Sequence, residues 1–377
     1  MERWNPNLFS RNGLAAGYDG KYVEALVEAG RKVDAREVPV IYSLAHLARL
    51  ANVRYGDLHA VVSRVVSDGD FPYRNFTIRK RSGGRRWISV PAPALLSAQT
   101  WIAQRVLRDV PVHAAAYGYV HKKRAPLVAN AQRHLGASWL LHMDVQDFFS
   151  HISEVQVFHV FKDLQYPDLL AFEMARLCTR VTPNRKGARW VRGSVTGIDS
   201  YRSRLVGSLP QGAPTSPALS NLVCRALDVQ VEKIARSYKA TYTRYADDLC
   251  FSVPQADRGV ILALKREVDL VLRQNGFSSN SRKTRIVPPG ARKVVTGIVV
   301  NGDRPSVPRE LRDRIRMHLF YCRRRGIPEH CERKGFFSVL GFRDHLGGLI
   351  GYVRTVDPRL GAKLSAEFDA LPWAPFL

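Results

Sequence analysis

The sequence predicts an α+β fold in which helices alternate with mostly short strands and helical segments flank both ends. Helical spacing of apolar residues dominates 1–70 and the chain beyond about 305, with short β-rich runs between them. An apolar fraction of 45% is enough to bury a core. The length of 377 residues indicates two or three packed units.

The charge predicts a polyanionic partner. Lys and Arg number 58 against 33 Asp and Glu, a formal net charge of +25. Each phosphate that a cation neutralises releases counterions, so nucleic acid is the favoured partner. An anionic membrane surface is the weaker alternative, because no basic amphipathic helix stands out.

The chain has no apolar run of about 18 residues, so we expect no membrane span. Its N-terminus has charges but no apolar stretch behind them, unlike a secretory signal. Five scattered cysteines favour neither a disulfide framework nor a zinc site. We therefore expect a cytoplasmic protein.

The first half of the chain predicts its elements in order. Helical spacing covers 43–52 and 57–66, the second with Asp57 as N-cap. Two β-rich runs around a glycine turn predict a hairpin over 74–90. A helix over 93–107, a strand over 139–144 and a helix that begins at a capping box on Ser153 follow.

The second half continues with a polar, basic segment at 181–205, which we interpret as an inserted loop. A helix is predicted to begin at Thr215-Ser-Pro217 and to run through Leu227. The remaining predicted elements are a hairpin over 242–253, a helix over 260–274, a strand over 293–301 and basic helices beyond about 305.

Three acidic residues lie in unusual places. Asp144 ends an apolar strand, and Asp247 and Asp248 lie at the tip of the predicted hairpin. Carboxylates brought together repel unless a cation lies between them. Two divalent ions about 3.5–4 Å apart stabilise an in-line phosphoryl displacement, and Mg²⁺ prefers carboxylate ligands. Taken alone, an Asp-Asp pair is more often a polar turn.

Four motifs over roughly 70–300 resemble those of reverse transcriptases. They are Phe76-x-Ile-x-Lys80 with Gly83-Gly-Arg-Arg-Trp-Ile88, Asp144-Val-Gln-Asp-Phe-Phe149, Leu209-Pro-Gln-Gly-Ala-Pro-Thr-Ser-Pro217 and Tyr245-Ala-Asp-Asp248. The resemblance implies a right-hand polymerase with fingers, palm and thumb. It assigns 1–70 to a helical N-terminal extension, 71–143 to the fingers, 144–300 to the palm and 301–377 to an RNA-binding thumb.

Two further segments resemble signatures of the retron reverse transcriptases. Asn130-Ala-Gln-Arg-His134 matches their Asn-Ala-x-x-His pattern, and Val295-Thr-Gly297 matches their Val-Thr-Gly pattern. The resemblance implies that Asn130, His134, Val295, Thr296 and Gly297 take part in RNA recognition. The alternatives are a core histidine at His134 and a strand bulge at Thr296-Gly297.

The resemblance also implies the catalytic roles. Asp144, Asp247 and Asp248, with the carbonyl of Val145, would hold two Mg²⁺ ions. Lys283 would protonate the leaving pyrophosphate, with a pKa lowered by its surroundings.

The nucleotide-binding residues follow from the same resemblance. Lys80 and Arg86 would grip the triphosphate, and Gln211 and Gly212 would line the nucleotide pocket. Phe149 would exclude the 2′-hydroxyl of ribonucleotides. The alternatives are a solvated charge run at Arg79-Lys-Arg81 and core packing for Phe149.

The implied activity is RNA-directed DNA synthesis primed from the 2′-hydroxyl of a guanosine in the enzyme's own structured non-coding RNA. The product is a branched RNA–DNA hybrid made from deoxynucleotides (msDNA). No ribonuclease H carboxylate set follows the thumb segment, so a host ribonuclease H would remove the template. Retrons commonly defend bacteria against phage through a separate effector protein. The alternatives are an intron-type bacterial reverse transcriptase and a non-catalytic RNA-binding scaffold.

Overall fold

The structure is a computed structural model that describes residues 4–64, 72–79, 83–181 and 205–373. Lys80 and almost all of the segment at 181–205 therefore lie outside the described residues. The helices of the N-terminal half are α1 (Pro6–Ala15), α2 (Gly20–Asp34), α3 (Leu44–Leu50), α4 (Tyr55–Ser63), α5 (Pro93–Trp101) with a π-helix (Ile102–Leu107), α6 (Pro126–Gln132), α7 (Phe148–His151), α8 (Glu154–Asp163) and α9 (Asp168–Cys178).

The helices of the C-terminal half are α10 (Ser216–Val223), α11 (Arg225–Ser237), α12 (Arg258–Gln274), α13 (Arg309–Arg325), α14 (Ile327–Arg333), α15 (Val339–Val356) and α16 (Pro358–Asp369). The strands are β1 (Tyr73–Arg79), β2 (Arg85–Pro91), β3 (Trp139–Asp144), β4 (Thr241–Tyr245), β5 (Asp248–Val253), β6 (Arg285–Val287), β7 (Val294–Val295) and β8 (Ile298–Val299).

Two compact units are built from interleaved stretches of the chain. The first unit comprises 1–121, 145–230 and 271–278, and the second comprises 122–144, 231–270 and 279–377. The boundaries fall inside α11 and α12 and between Asp144 and Val145, so neither unit is one continuous segment.

The first unit packs helices around α9, in which every residue from Leu170 to Cys178 is buried. The antiparallel hairpin β1–β2 belongs to this unit and pairs Tyr73 with Pro91 at its base. A buried ion cluster forms around Glu154 at the start of α8, where Arg64 and Arg176 pair with its carboxylate. Because two cations share one buried acid, the cluster ties α4, α8 and α9 together.

The second unit contains an antiparallel sheet in the order β4-β5-β3-β6. Its apolar core continues into the C-terminal helices, where Phe342 and Leu346 of α15 are fully buried. The short hairpin β7–β8 packs into the same core through Val295 and Ile298. This sheet carries the aspartates that the sequence singles out.

Most predicted elements are confirmed. β3 has the predicted bounds, both predicted hairpins form, and Ser153 and Gln156 make the capping box of α8. The start of α4 differs: the helix begins at Tyr55, so Asp57 lies in its first turn and accepts hydrogen bonds from Arg54.

Three other boundaries differ from the prediction. The predicted helix through Leu227 is broken at Cys224 into α10 and α11. The end of the predicted helix over 93–107 is a π-helix. The predicted strand over 293–301 is instead a hairpin, because the chain reverses at Thr296-Gly297.

In the parts of the chain that the structure covers, no helix combines the length and apolarity that crossing a bilayer requires. All five cysteines lie in the described residues, are buried and form no disulfide bond: Cys178, Cys224, Cys250, Cys322 and Cys331.

Candidate active site

Two aspartates face each other across the sheet of the second unit. Asp144 ends β3 and Asp248 begins β5, and the antiparallel register pairs these two residues directly. Asp144 is buried, and its carbonyl accepts a 2.7 Å hydrogen bond from the backbone N–H of Asn280. Directly opposed like charges destabilise a strand pair, so a cation is needed at this strand end.

Asp247 lies in the two-residue turn that joins β4 to β5. The register pairs Tyr245 with Asp248, which leaves Ala246 and Asp247 as the loop. Ala246 has a φ of 57°, a left-handed conformation that the turn requires. The fully buried Arg244 donates a 3.2 Å hydrogen bond to the carbonyl of Ala246. The turn that presents Asp247 and Asp248 is therefore fixed from beneath by a buried guanidinium.

The three carboxylates interact electrostatically. Desolvation, followed by the negative charges of Asp247 and Asp144, raises the pKa of Asp248 to about 6, and Lys283 acts in the opposite direction. A raised carboxyl pKa means that the charged form is unfavourable until a cation arrives.

Lys283 supplies one such cation. Its Nζ donates to both carboxylate oxygens of Asp144, at 3.0 and 2.8 Å. This hydrogen-bonded pair, with the nearby Asp247 and Asp248, raises the pKa of Lys283. The sequence-based expectation of a lowered pKa was therefore wrong, because three acids outweigh the desolvation of a side chain that is 57% exposed.

Within the described ranges, no three His, Cys, Asp or Glu side chains form a ready-made metal site. The donor chemistry nevertheless suits a hard divalent cation, because the facing side chains of Asp144 and Asp248 are carboxylates. The raised pKa of Asp248 reflects repulsion that such a cation would relieve. Val145 is buried at the start of the next stretch of chain, in the first unit.

Phe149 lies in α7 of the first unit and is half-buried. Its ring contacts two aromatic neighbours, Phe148 at 5.5 Å and Tyr119 at 6.4 Å between centroids. Phe148 is buried and packs on Phe277, whereas Tyr119 is 49% exposed. Phe149 thus has one buried and one exposed aromatic neighbour.

Gln211 and Gly212 lie against the strand β2. The carbonyl of Gln211 accepts a 2.8 Å hydrogen bond from the N–H of Ser89. Gly212 has a φ of 115°, and a Cβ there would lie 2.9 Å from Ile88 Cγ2 and 3.0 Å from the Ser89 carbonyl oxygen. The close approach that glycine permits here is therefore to β2.

Of the two predicted phosphate-binding cations, the structure describes Arg86, which belongs to the same hairpin. Arg86 is exposed on β2, where it pairs with Ile78 of β1. Lys80 lies outside the described residues. An exposed guanidinium on a two-stranded arm suits bidentate contact with phosphate oxygens.

His134 is a core residue of the second unit. Its side chain is fully buried, with Nδ1 2.8 Å from Ser252 Oγ and Nε2 2.7 Å from Thr243 Oγ1. Burial, then the charges of His142 and Arg133, lowers the pKa of His134 to about 3. A buried ring with both nitrogens bonded has no group left for RNA, so the alternative of a core histidine describes the side chain.

Asn130 is likewise buried, at 1% exposure, on α6. Its Oδ1 atom has no hydrogen-bond partner among the described residues. Direct contact of Asn130 with RNA therefore conflicts with its burial in the same way as for His134.

The Val295-Thr-Gly297 signature forms the turn of the hairpin β7–β8. Thr296 and Gly297 have φ values of 48° and 83°, and both positive angles are typical of a type I′ turn. A β-branched residue is strained there, and Thr296 Oγ1 gains a 3.0 Å hydrogen bond to the carbonyl of Leu127. Val295 is buried beneath the turn. The two signature segments therefore meet, because Leu127 and Asn130 lie on the same helix.

Sequence reasoning missed three residues that position the hairpin β1–β2 and the chain that leads into Gln211: Ser89, Arg180 and Glu154. Arg180 Nη1 donates a 2.7 Å hydrogen bond to Ser89 Oγ, and Glu154 accepts bonds from Thr179 Oγ1 and the N–H of Gly207. The partners are far apart in sequence, so no local pattern indicates the contacts. The nearest sequence signals were the capping box beside Glu154 and the predicted hairpin over 74–90, which contains Ser89.

The comparisons with known proteins agree with this geometry. Residues 78–306 match the family described as Reverse transcriptase (RNA-dependent DNA polymerase). The chain is 31% identical over 312 residues to the retron Mx162 reverse transcriptase of Myxococcus xanthus, covering 79% of this chain and 61% of that protein. It is 32% identical over 296 residues to the retron Mx65 reverse transcriptase of the same organism, covering 78% and 63%.

A third relative is similar in length. The retron Ec86 reverse transcriptase of Escherichia coli is 28% identical over 330 residues, covering 86% of this chain and 92% of that protein. The chain spans about six-tenths of the length of the two Myxococcus relatives. By the family match and these relatives, the chain belongs to the reverse transcriptase family, among the bacterial retron reverse transcriptases.

Proposed function

We propose that this protein is an RNA-directed DNA polymerase of the retron type. It primes synthesis from the 2′-hydroxyl of a guanosine in its own structured RNA and makes a branched RNA–DNA hybrid from deoxynucleotides. Its biological role is anti-phage defence with a separate effector protein, and a host ribonuclease H removes the template.

The observation that carries the polymerase proposal is the register pairing of Asp144 with Asp248, with Asp247 in the adjoining turn. A fold has no structural need to place acids so that Asp247 and Asp144 raise the pKa of Asp248. Such an arrangement suits a site whose function requires a cation.

We assign the metal-binding role to Asp144, Asp247 and Asp248, with the carbonyl of Val145 as a further ligand. Reverse transcriptases in general depend on divalent metal ions, and Mg²⁺ is the ion we assign here. When bound, two such ions would stabilise the charge that develops on the attacking and leaving oxygens. Lys283 stays protonated, since its pKa is raised, and so holds the proton that a leaving pyrophosphate requires.

The nucleotide would be selected by residues of the first unit. Arg86 and Lys80 contact the triphosphate, and Gln211 and Gly212 line the pocket. The half-buried ring of Phe149 excludes a 2′-hydroxyl, which selects deoxynucleotides.

The RNA partner is supported by the net charge of +25. Residues 301–377 form the thumb of this proposal, and α13 carries the basic run Arg323-Arg-Arg325 in its last turn. The extension at 1–70, the fingers at 71–143 and the palm at 144–300 complete the assignment.

Two variants test the polymerase proposal: Asp247→Asn and Asp248→Asn. Each should abolish Mg²⁺-dependent incorporation of labelled deoxynucleotide on a primed RNA template, while RNA affinity is retained. The matched control is Asp303→Asn, since Asp303 has a side chain that is 92% exposed. If either catalytic-site variant extends primers at near the wild-type rate, the two-ion assignment is wrong. RNA binding by the wild-type protein without any Mg²⁺-dependent incorporation would instead favour the scaffold alternative.

The priming proposal needs a separate test. The RNA that co-purifies with the protein should support synthesis without an added primer, and the product should stay joined to RNA through a 2′–5′ linkage. Products that are separable from RNA by denaturation alone would contradict self-priming. Phage plaque counts on cells with the Asp248→Asn enzyme, against wild type, test the defensive role.

A further inference from the structure

We infer that Arg180 is a positioning residue for the incoming nucleotide, acting through Ser89. The inference rests on the proposed placement of Gln211 and Gly212 in the nucleotide pocket. It concerns only residues of the first unit, and neither Arg180 nor Ser89 lies in a motif of the family resemblance.

The first step is the attachment of Arg180 to the Pro-Gln-Gly segment. Its N–H donates to the carbonyl of Ser208 at 2.9 Å, and the N–H of Ser208 donates back at 3.0 Å. Leu209 N–H then donates to the carbonyl of Ile152 at 3.0 Å. The backbone that leads into Pro210 and Gln211 is therefore aligned with the chain just after α9.

The second step is the attachment of Arg180 to the fingers hairpin. Its guanidinium donates to Ser89 Oγ at 2.7 Å and lies 5.9 Å from the ring centroid of the buried Tyr73. Ser89 Oγ in turn donates to Asn75 Oδ1 at 2.8 Å, across the two strands of the hairpin. One guanidinium thus contacts both β1 and β2.

The third step is the contact between the Pro-Gln-Gly segment and the fingers hairpin, which completes a closed ring of contacts. The N–H of Ser89 donates to the carbonyl of Gln211 at 2.8 Å, and Gly212 lies against the Ser89 carbonyl. Arg180 is hydrogen-bonded to Ser208, and the backbone leads from Ser208 to Gln211. Gln211 is hydrogen-bonded to Ser89, and Ser89 is hydrogen-bonded to the guanidinium of Arg180. Because this ring of contacts is closed, a shift of any residue in it moves the Pro-Gln-Gly segment relative to β2.

The consequence concerns nucleotide binding. Arg86 lies three residues before Ser89 on the same strand, so the ring sets the separation between this cation and the Gln211-Gly212 segment. A triphosphate and a base can be contacted together only at the right separation. Arg180 acts through Ser89 and contacts no substrate itself.

The expected effect appears in the KM for deoxynucleotide. Arg180→Ala and Ser89→Ala should each raise this KM about tenfold, since a charge-assisted hydrogen bond is lost. The kcat at saturating nucleotide and the affinity for primer–template should stay near wild type. Arg180→Lys keeps the charge and one donor, so it should recover part of the loss.

A double variant makes the test sharper. Because both changes break the same hydrogen bond, Arg180→Ala with Ser89→Ala should raise the KM no further than the more severe single change. The matched control is Ser63→Ala, which removes a buried, hydrogen-bonded serine of the same unit. An unchanged KM, additive effects in the double variant, or an equal KM rise in Ser63→Ala would each overturn the inference.

Gln211→Ala separates this inference from the pocket assignment, because it removes the side chain and leaves the backbone carbonyl bonded to Ser89. If Gln211→Ala raises the KM but the Ser89 and Arg180 variants do not, the pocket stands and the positioning inference fails. If Gln211→Ala leaves the KM unchanged, the pocket assignment fails and the positioning inference, which depends on it, fails with it.

Discussion

The ammonium group of Lys283 bridges both carboxylate oxygens of Asp144, at 3.0 and 2.8 Å. A divalent ion that binds Asp144 therefore competes with the lysine for this carboxylate. Without metal, the ammonium group neutralises the charge of Asp144 at the end of β3. When a metal ion binds, the ammonium group competes with it for the same carboxylate. Lys283 and the ion are alternative partners for the same acid.

This competition predicts the behaviour of Lys283→Gln. Without the ammonium, Asp144 is open to Mg²⁺, so the concentration of Mg²⁺ that raises the melting temperature halfway should fall about threefold. The effect is modest because exposed ion pairs are weak. A thermal-shift titration with Mg²⁺ measures it, and Lys283→Arg, which keeps the charge, is the control. A higher Mg²⁺ requirement in Lys283→Gln would contradict the competition.

The repulsion at Asp248 predicts that Asp248→Asn makes the metal-free protein more stable, although it abolishes DNA synthesis. Since its pKa is raised to about 6, its charged form destabilises the metal-free fold at neutral pH. Asp248→Asn should therefore raise the metal-free stability at pH 7.5 by on the order of 1 kcal/mol, after allowance for screening of an exposed residue. The same variant should lose the extra stability that Mg²⁺ gives to wild type. Denaturant unfolding with and without Mg²⁺ measures both, and a less stable metal-free variant would refute the prediction.

The paired rings of Phe149 and Phe148 predict separable effects. Phe149→Val should admit ribonucleotides, because a smaller side chain leaves room for a 2′-hydroxyl, and should change stability little. Phe148→Val should lower stability by about 2 kcal/mol through a cavity beside Phe277, with sugar selectivity kept. The ratio of kcat/KM for deoxy- and ribonucleotides decides between them. Unchanged discrimination in Phe149→Val would mean that this ring is core.

Because His134 is buried, we expect its substitution to affect stability, whereas substitution of Thr296 still tests RNA recognition. His134→Ala leaves Ser252 and Thr243 without their partner, so it should cost about 2–4 kcal/mol of stability and reduce DNA synthesis on every template. Thr296→Ala loses only the bond to Leu127 and should leave extension of a supplied primer near wild type. Branched-product yield from the cognate RNA then tests Thr296 alone.

Thr296→Asn is the matched control, because asparagine suits the positive φ of this turn. If Thr296→Ala reduces primer extension and branched-product yield equally, the hairpin turn stabilises the fold and does not recognise the RNA.

Two buried histidines predict a loss of stability in acid. Burial and neighbouring charges lower the pKa of His134 to about 3 and that of His318 to about 4, the latter with His330 at 2.9 Å. The unfolded chain takes up these protons below about pH 6.5, whereas the folded chain does not. Stability should therefore fall as the pH drops from about 6.5 towards 4, by about 2 kcal/mol per histidine at pH 5.

Melting temperatures between pH 7.5 and 5 measure this loss. His134→Gln, which keeps a donor and an acceptor, should flatten the pH dependence, whereas His159→Gln on the exposed face of α8 should not. Equal slopes in all three proteins would show that His134 does not carry the effect.

The positions of Asp144, Asp247 and Asp248 at a strand end and a hairpin turn could be predicted because they follow from local pattern, whereas their metal-binding role came from the family resemblance and stays a prediction. Asp144 ends an apolar strand, and the Ala246-Asp247 turn is short enough to fix its hairpin. The hydrogen-bond partners of His134 were not predictable, because they lie 118 and 109 residues away and a buried hydroxyl leaves no pattern. The β7–β8 hairpin was missed because strands of two residues have no periodicity.

The interleaving of the two units constrains how the chain folds during synthesis. The first unit includes 271–278, where Phe277 packs on Phe148 and the carbonyl of Ser278 accepts a 2.9 Å bond from Gln146. A nascent chain therefore cannot complete this unit until residue 278 has left the ribosome, although most of its residues are made much earlier. The segments made before residue 278 include α9, which is buried in the completed unit, so the protein should depend on chaperones or on early RNA binding during translation. No single cut yields an intact unit, and a split enzyme must be rebuilt from fragments that are present together.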